Sequence, residues 1–217
     1  MDFGVAELMM EPTVDQALDW IQSGFIVVAP LEHGYAYLTD AFSHDAVRAM
    51  HVLRGDGLGV AAQVLVGTIE TATGIVRQIS PEANALMRAF WPGLLSLNLH
   101  PHHGLNWDLG DDRELDLISV RVPSADFVGR LLIKSGPLAC ASAAPVGDQP
   151  LLRTSELTSA QNEMVRVCDL GELKAGPVSS VVSVSETGIT LLREGAISFA
   201  ELSTHAPAIS RLNSANI

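Results

Sequence analysis

The sequence predicts one α/β domain, a twisted mixed sheet with flanking helices, and three observations carry that reading. Apolar residues alternate along the chain between helix-like and strand-like spacing. A chain of 217 residues with 47% hydrophobic content can bury a sizeable core. No repeat, low-complexity tract or long linker interrupts it, so the domain is expected over residues 1–217. Strand order is not readable from this pattern.

The elements follow in order. Thr13 is placed to cap a helix over Val14–Gln22, with Gly24 as its stop. Phe25–Ala29 reads as a short buried strand ending at Pro30, and a loop then opens towards a second helix capped by Ser43. Ala46, Val47, Met50 and Leu53 recur at helical spacing in that helix. Ala61–Val66 reads as strand, and Ser80-Pro81-Glu82 starts a helix leading to Phe90. Strands are expected at Leu94–Leu99 and Leu117–Val122, flanking a loop rich in His, Gly and Asp. A helix after Ser124 covers Ala125–Lys134 and stops at Gly136, before a strand of small residues at Leu138–Ala141. Ala143–Pro150 is turn-rich, and Val178–Val184 with Ile189–Leu192 form a β-hairpin about Glu186-Thr-Gly188.

Composition excludes some functions. With 13 basic and 25 acidic residues the net charge is −12, which repels a phosphate backbone unless cations cluster. The chain has no basic run, so direct nucleic-acid binding is disfavoured and a small-molecule substrate is expected. No apolar run approaches the ~20 residues of a membrane-spanning helix. The opening Met1-Asp-Phe-Gly-Val-Ala-Glu is a poor secretory signal, which points to the cytoplasm. Cys140 and Cys168 lie in apolar surroundings and read as buried free thiols rather than a disulfide.

Two constellations invite chemistry. His100-Pro101-His102-His103 with Asp108, Asp111 and Asp112 could hold a metal, but no His pair has helix-borne ligand spacing, and a solvated loop is preferred. Cys140 near Ser142 could be a nucleophile, but no activating motif surrounds it. No metal ligand is therefore assigned.

The motifs from Pro30 onward are more specific. In chain order they are Pro30–Ala41, Arg54-Gly-Asp56, Phe90-Trp-Pro-Gly93, Arg121-Val-Pro123, Ser142-Ala-Ala144, Ser179-Ser-Val-Val182 and Arg193-Glu-Gly195. Their order and spacing resemble the YrdC/YwlC-like threonylcarbamoyl-adenylate synthases over about residues 14–203. The resemblance implies a single YrdC-like domain with a concave ligand cavity. It also implies an ATP-dependent nucleotidyltransferase that joins threonine and bicarbonate, takes AMP from ATP, releases pyrophosphate and feeds a tRNA modification.

By the same resemblance, ATP and Mg²⁺ are the implied cofactors, and Arg54 and Ser142 the implied catalytic residues. Arg54, Ser142, Ser179, Ser180, Arg121 and Arg193 would hold the nucleotide, and Leu31, Glu32, His33 and Tyr35 would form the substrate pocket. The chain departs from the family pattern where it matters to ATP. Leu31 and His33 replace threonines. Asp56 stands where the family has a second cation, and Ala144 and Val146 replace an Asn and a Ser. Losing charge-assisted contacts, at ~1.5–3 kcal/mol each, weakens ordinary ATP binding. Other readings stay open: a paralogue using another carbamoyl-type or acyl-adenylate substrate, or a non-catalytic descendant that binds a ligand or a protein partner. Bland roles also remain open, with Arg54 as a solvated helix-end cation, Arg121 and Arg193 as strand residues paired with acids, and Pro30 and Tyr35 as turn formers.

Overall fold

The computed structural model describes residues 12–105, 107–111, 116–186 and 188–212. The opening segment, Asp112 and Thr187 of the expected hairpin turn lie outside them. Helix starts follow the caps. The Thr13 hydroxyl accepts from the Gln16 N–H at 3.1 Å to open α1 (Val14–Gln22). Ser43 does the same at α2 (His44–Arg54), which ends at Gly55 in the left-handed region, φ 76°. Ser80 caps α4 (Pro81–Phe90), with Pro81 in the first turn. A short helix, α3 (Ile69–Ile75), precedes it and was not expected. The helix α5 (Asp126–Ser135) has Ala125 at its cap position and so no side-chain cap, while the Ser124 hydroxyl just before it donates to Glu32. A capping box at Ser198 and Glu201 opens α6 (Phe199–His205).

The strands are β1 (Ile26–Pro30), β2 (Tyr35–Asp40), β3 (Gln63–Leu65), β4 (Leu95–Leu99), β5 (Ile118–Arg121), β6 (Leu138–Ser142), β7 (Val165–Val167), β8 (Ser180–Ser185), β9 (Gly188–Arg193) and β10 (Ser210–Arg211). Among the described residues they form one mixed sheet, in the order β10-β9-β8-β4-β5-β3-β6-β2-β1-β7. The expected loop after Pro30 is largely strand: β1 and β2 form an antiparallel hairpin, Val27 opposite Leu38 and Pro30 opposite Tyr35.

Alternation along the central strands divides the core into two layers. Ile26, Val28, Tyr35 and Tyr37 join the cluster that includes Val47 and Met50 of α2, Leu86 of α4 and Leu202 of α6. Val27, Ala29, Ala36 and Leu38 face the other way, against Ala17 and Ile21 of α1 and Leu131 of α5. The molecule is a helix–sheet–helix sandwich, with each face of the sheet covered by an apolar helical stripe. Among the described residues no helix is long and apolar enough to cross a membrane.

Candidate active site

A cavity of about 330 Å³ lies across β2, β6, β3 and β5, bordered by the α2 end and by the segments leading into β4 and β8. That volume suits a small ligand. The sheet brings together residues far apart in sequence. Arg54 arrives on the last turn of α2, Arg121 on the last residue of β5, Ser142 on the last residue of β6 and Arg193 on the last residue of β9. Leu31, Glu32 and His33 come from the turn between β1 and β2, and Ser179 from the entry to β8.

Each of these groups has a defined environment. Arg121 donates from Nε to the Gly93 carbonyl at 2.9 Å and pairs through Nη2 with Glu32. Glu32 also accepts from the Ser124 N–H at 2.7 Å. Burial opposes the charge on Glu32, but the Arg121 cation and these hydrogen bonds outweigh it and hold the carboxyl below its ordinary range. Arg193 donates to the Ser179 carbonyl and hydroxyl, both at 3.0 Å, and burial lowers its pKa. A Cβ at Gly195 would fall 2.6 Å from the Ser179 carbonyl oxygen, so the Arg-Glu-Gly motif needs its glycine to let two backbones meet.

The orientation of Asp56 follows from the left-handed turn at Gly55. Its side chain is 3% exposed and does not border the cavity. It accepts from Arg54 Nη1 at 2.8 Å and lies 2.7 Å from His51 Nδ1, while His51 Nε2 lies 2.8 Å from the Leu109 carbonyl oxygen. Arg54 is thus an ion-paired wall residue of the cavity rather than a solvated helix-end cation.

Three expected residues have structural duties. Ser180 is fully buried outside the cavity lining; its hydroxyl donates to the Ile197 carbonyl and accepts from the Gly195 and Ile197 N–H groups. The Tyr35 hydroxyl donates to the Gly171 carbonyl at 2.7 Å and accepts from the Leu170 N–H, tying β2 to the segment after β7. Burial raises its pKa. The His33 ring approaches the Lys174 carbonyl at 3.0 Å from Nδ1. A Cβ on Gly176 would collide with that ring, so this segment is drawn tightly over the cavity. Ser142 accepts from the Ala144 N–H at 3.2 Å, which leaves its own proton for a ligand.

Sequence reasoning passed over Gln63 and His51, both at the cavity. The Gln63 amide donates to Ser96 at 2.7 Å and Ser119 at 3.1 Å, and Ser96 donates to Ser179 at 3.1 Å. A hydrogen-bonded row therefore runs under the site as far as Arg193. The signal was present as one polar residue within the apolar run Ala61–Val66. His51 lies three residues before Arg54, on the same helical face.

Cys140 borders the cavity, but burial pushes its thiol up to about 12, so it is no nucleophile at neutral pH; Cys168 is raised likewise, and both are free. Among the described residues no three His, Cys, Asp or Glu side chains converge on a metal position. For Mg²⁺ the donor set does not fit. Glu32 is engaged by Arg121 and Ser124, and Asp56 by Arg54 and His51, so neither carboxylate is free to serve as a ligand.

The fold is a three-layer α/β domain whose strand ends and loops gather guanidiniums and hydroxyls around one cavity, a donor set complementary in charge to an anion. The family model Sua5/YciO/YrdC, described as telomere recombination, matches residues 19–195. A Mycobacterium leprae protein, assigned provisionally as a threonylcarbamoyl-AMP synthase, is 33% identical over 190 residues, covering 87% of this chain and 86% of its own. The chain belongs to the Sua5/YciO/YrdC family. Among solved structures, Pyrococcus abyssi Sua5 complexed with L-threonine superposes with a TM-score of 0.82 at 24% identity, over 92% of this chain. The match spans only 58% of that longer protein. Escherichia coli YciO gives a TM-score of 0.72 at 18% identity, over 84% of this chain and 89% of its own.

Proposed function

We propose that the chain is a threonylcarbamoyl-adenylate synthase-type nucleotidyltransferase acting in tRNA modification in the cytoplasm. Its substrates are an amino acid of the threonine class, bicarbonate and ATP. The observation that carries this reading is convergence. Leu31, Glu32 and His33, then Arg54, Arg121, Ser142, Ser179 and Arg193, come from separate segments and border one cavity. The reaction named for the relatives forms a bond between a carbamate oxygen of the N-carboxylated amino acid and the α-phosphorus, and breaks the bond from that phosphorus to the pyrophosphate oxygen.

The residues divide that work. Arg193 is held by Ser179 and presents its positive charge where negative charge moves from attacking to leaving oxygen. Ser142 donates its free proton to an oxygen of the transferring group, and Arg54 supports the same region from the α2 end. The row from Gln63 through Ser96 fixes Ser179, so these donors need little reorganisation.

Leu31 favours a second reading, in which the acceptor is another carbamoyl- or acyl-type acid, because it gives the cavity an apolar wall beside Ala36 and Ala141. Pyrophosphate release from Mg·ATP with bicarbonate and a panel of amino acids distinguishes the two. Threonine-dependent release that falls in Arg54→Ala supports the synthase. Release with a different acceptor supports the paralogue. No release, with no ATP binding, overturns both.

A further inference from the structure

We infer that His51 is the second cation on the α2 side of this cavity: an imidazolium that offsets Asp56 and leaves that wall with a net positive charge for an anionic ligand. The inference rests on the reading of the cavity as a nucleotide site. It names the group that keeps the wall attractive to phosphate although Asp56 stands where the family has a cation.

Both ring nitrogens of His51 face acceptors. Nε2 lies 2.8 Å from the Leu109 carbonyl oxygen, which also takes the Ala62 N–H at 2.7 Å, and a carbonyl has no proton to give. Nδ1 lies 2.7 Å from Asp56 Oδ2, while Oδ1 of the same carboxylate accepts from Arg54 Nη1 at 2.8 Å. A proton on Asp56 would satisfy Nδ1, but it would discharge the partner of Arg54 on a side chain only 3% exposed. Against an ionised Asp56 a neutral ring leaves one contact unmade. A ring protonated on both nitrogens makes both.

The ring is set closely against this backbone, since a Cβ at Gly110 would fall 2.4 Å from Nε2. Asp108, on the same segment, is occupied by Arg48 and the Gly110 N–H. Asp56 therefore faces two cations, Arg54 and His51, and one positive charge is left over at the α2 end. Both cations border the cavity, whereas Asp56 does not. His51 and Arg54 lie about one turn apart on α2, so they present to the same side. An anionic ligand meets the two cations on the wall and the carboxylate only beyond them.

Long-range proton–nitrogen NMR on the isotope-labelled full chain at about pH 7 reads the ring directly. Protons on both nitrogens of His51 are expected, and a ring protonated on one nitrogen overturns the inference. Calorimetry with ATP in EDTA then reads the charge. His51→Gln is expected to lower ATP affinity about tenfold. His51→Gln combined with Asp56→Asn should restore it to within about threefold, because the paired change returns the net charge of the wall. A packing role alone predicts that the second change brings no recovery. Unchanged affinity in His51→Gln, or no recovery in the double variant, overturns the inference. Should the variants fail to fold, the spectrum of the wild type decides alone. A wild type that binds no ATP sinks the synthase reading, and the inference then stands or falls on the protons of the ring.

Discussion

Arg121 and Arg193 border the same cavity in different company. Arg121 is 6% exposed, bonded to the Gly93 carbonyl and paired with Glu32, which is held in turn by Ser124 at the start of α5. Arg193 has only the Ser179 carbonyl and hydroxyl, and no carboxylate among the described residues. The first guanidinium spends its charge joining the β1–β2 turn to β5 and α5. The second has charge left over. Two arginines that look equivalent as motif letters thus divide into a clamp and a cavity-bordering cation with no carboxylate partner among the described residues.

The largest effect that would sharpen this contrast is on stability. Glu32→Gln leaves Arg121 buried without its countercharge and is expected to destabilise the fold by about 3 kcal/mol in urea unfolding. A change under about 1 kcal/mol would mean that the pair is not a clamp. Tyr35→Phe removes the hydroxyl that bonds the Gly171 carbonyl and the Leu170 N–H, with an expected loss of about 1–2 kcal/mol in the same assay. No loss would show that the segment after β7 is held by other contacts.

A smaller effect comes with acid. The Glu32 carboxyl lies below its ordinary 4.5 in the folded protein, so the unfolded chain takes up that proton first. The stability from the pair is therefore complete above about pH 4.5 and drains away as pH falls through the lower folded value. The stability gap between wild type and Glu32→Gln should narrow as pH falls below about 4.5 towards the lower folded value. A gap that stays constant or widens would break the assignment.

Much of the fold was legible because its signals are local. Thr13, Ser43, Ser80 and Pro81 mark helix starts, Gly136 marks a stop, and Val178–Leu192 reads as a hairpin. What failed has a physical reason in each case. Tyr35–Thr39 is buried on both faces of the sheet, so β2 shows no alternation to separate it from a loop. The three-residue β7 and the seven-residue α3 are too short for a periodic pattern. Strand order depends on pairings such as Leu95 with Ser180, which no local pattern encodes.

The site divides in the same way. Its residue types were readable through the family resemblance, but their partners were not. Whether Asp56 enters the cavity depends on the turn at Gly55, and the tie from Glu32 to Arg121 spans 89 positions. The row from Gln63 through Ser96 to Ser179 joins three strands or their entries, so it exists only once the sheet is assembled.

The most direct test of the clamp-and-ligand division is kcat/KM for pyrophosphate release by Arg193→Ala against wild type, with both proteins folded at the assay temperature. Loss of one charge-assisted contact predicts a fall of roughly tenfold to a hundredfold. An unchanged kcat/KM would contradict the account, because Arg193 would then be as structural as Arg121.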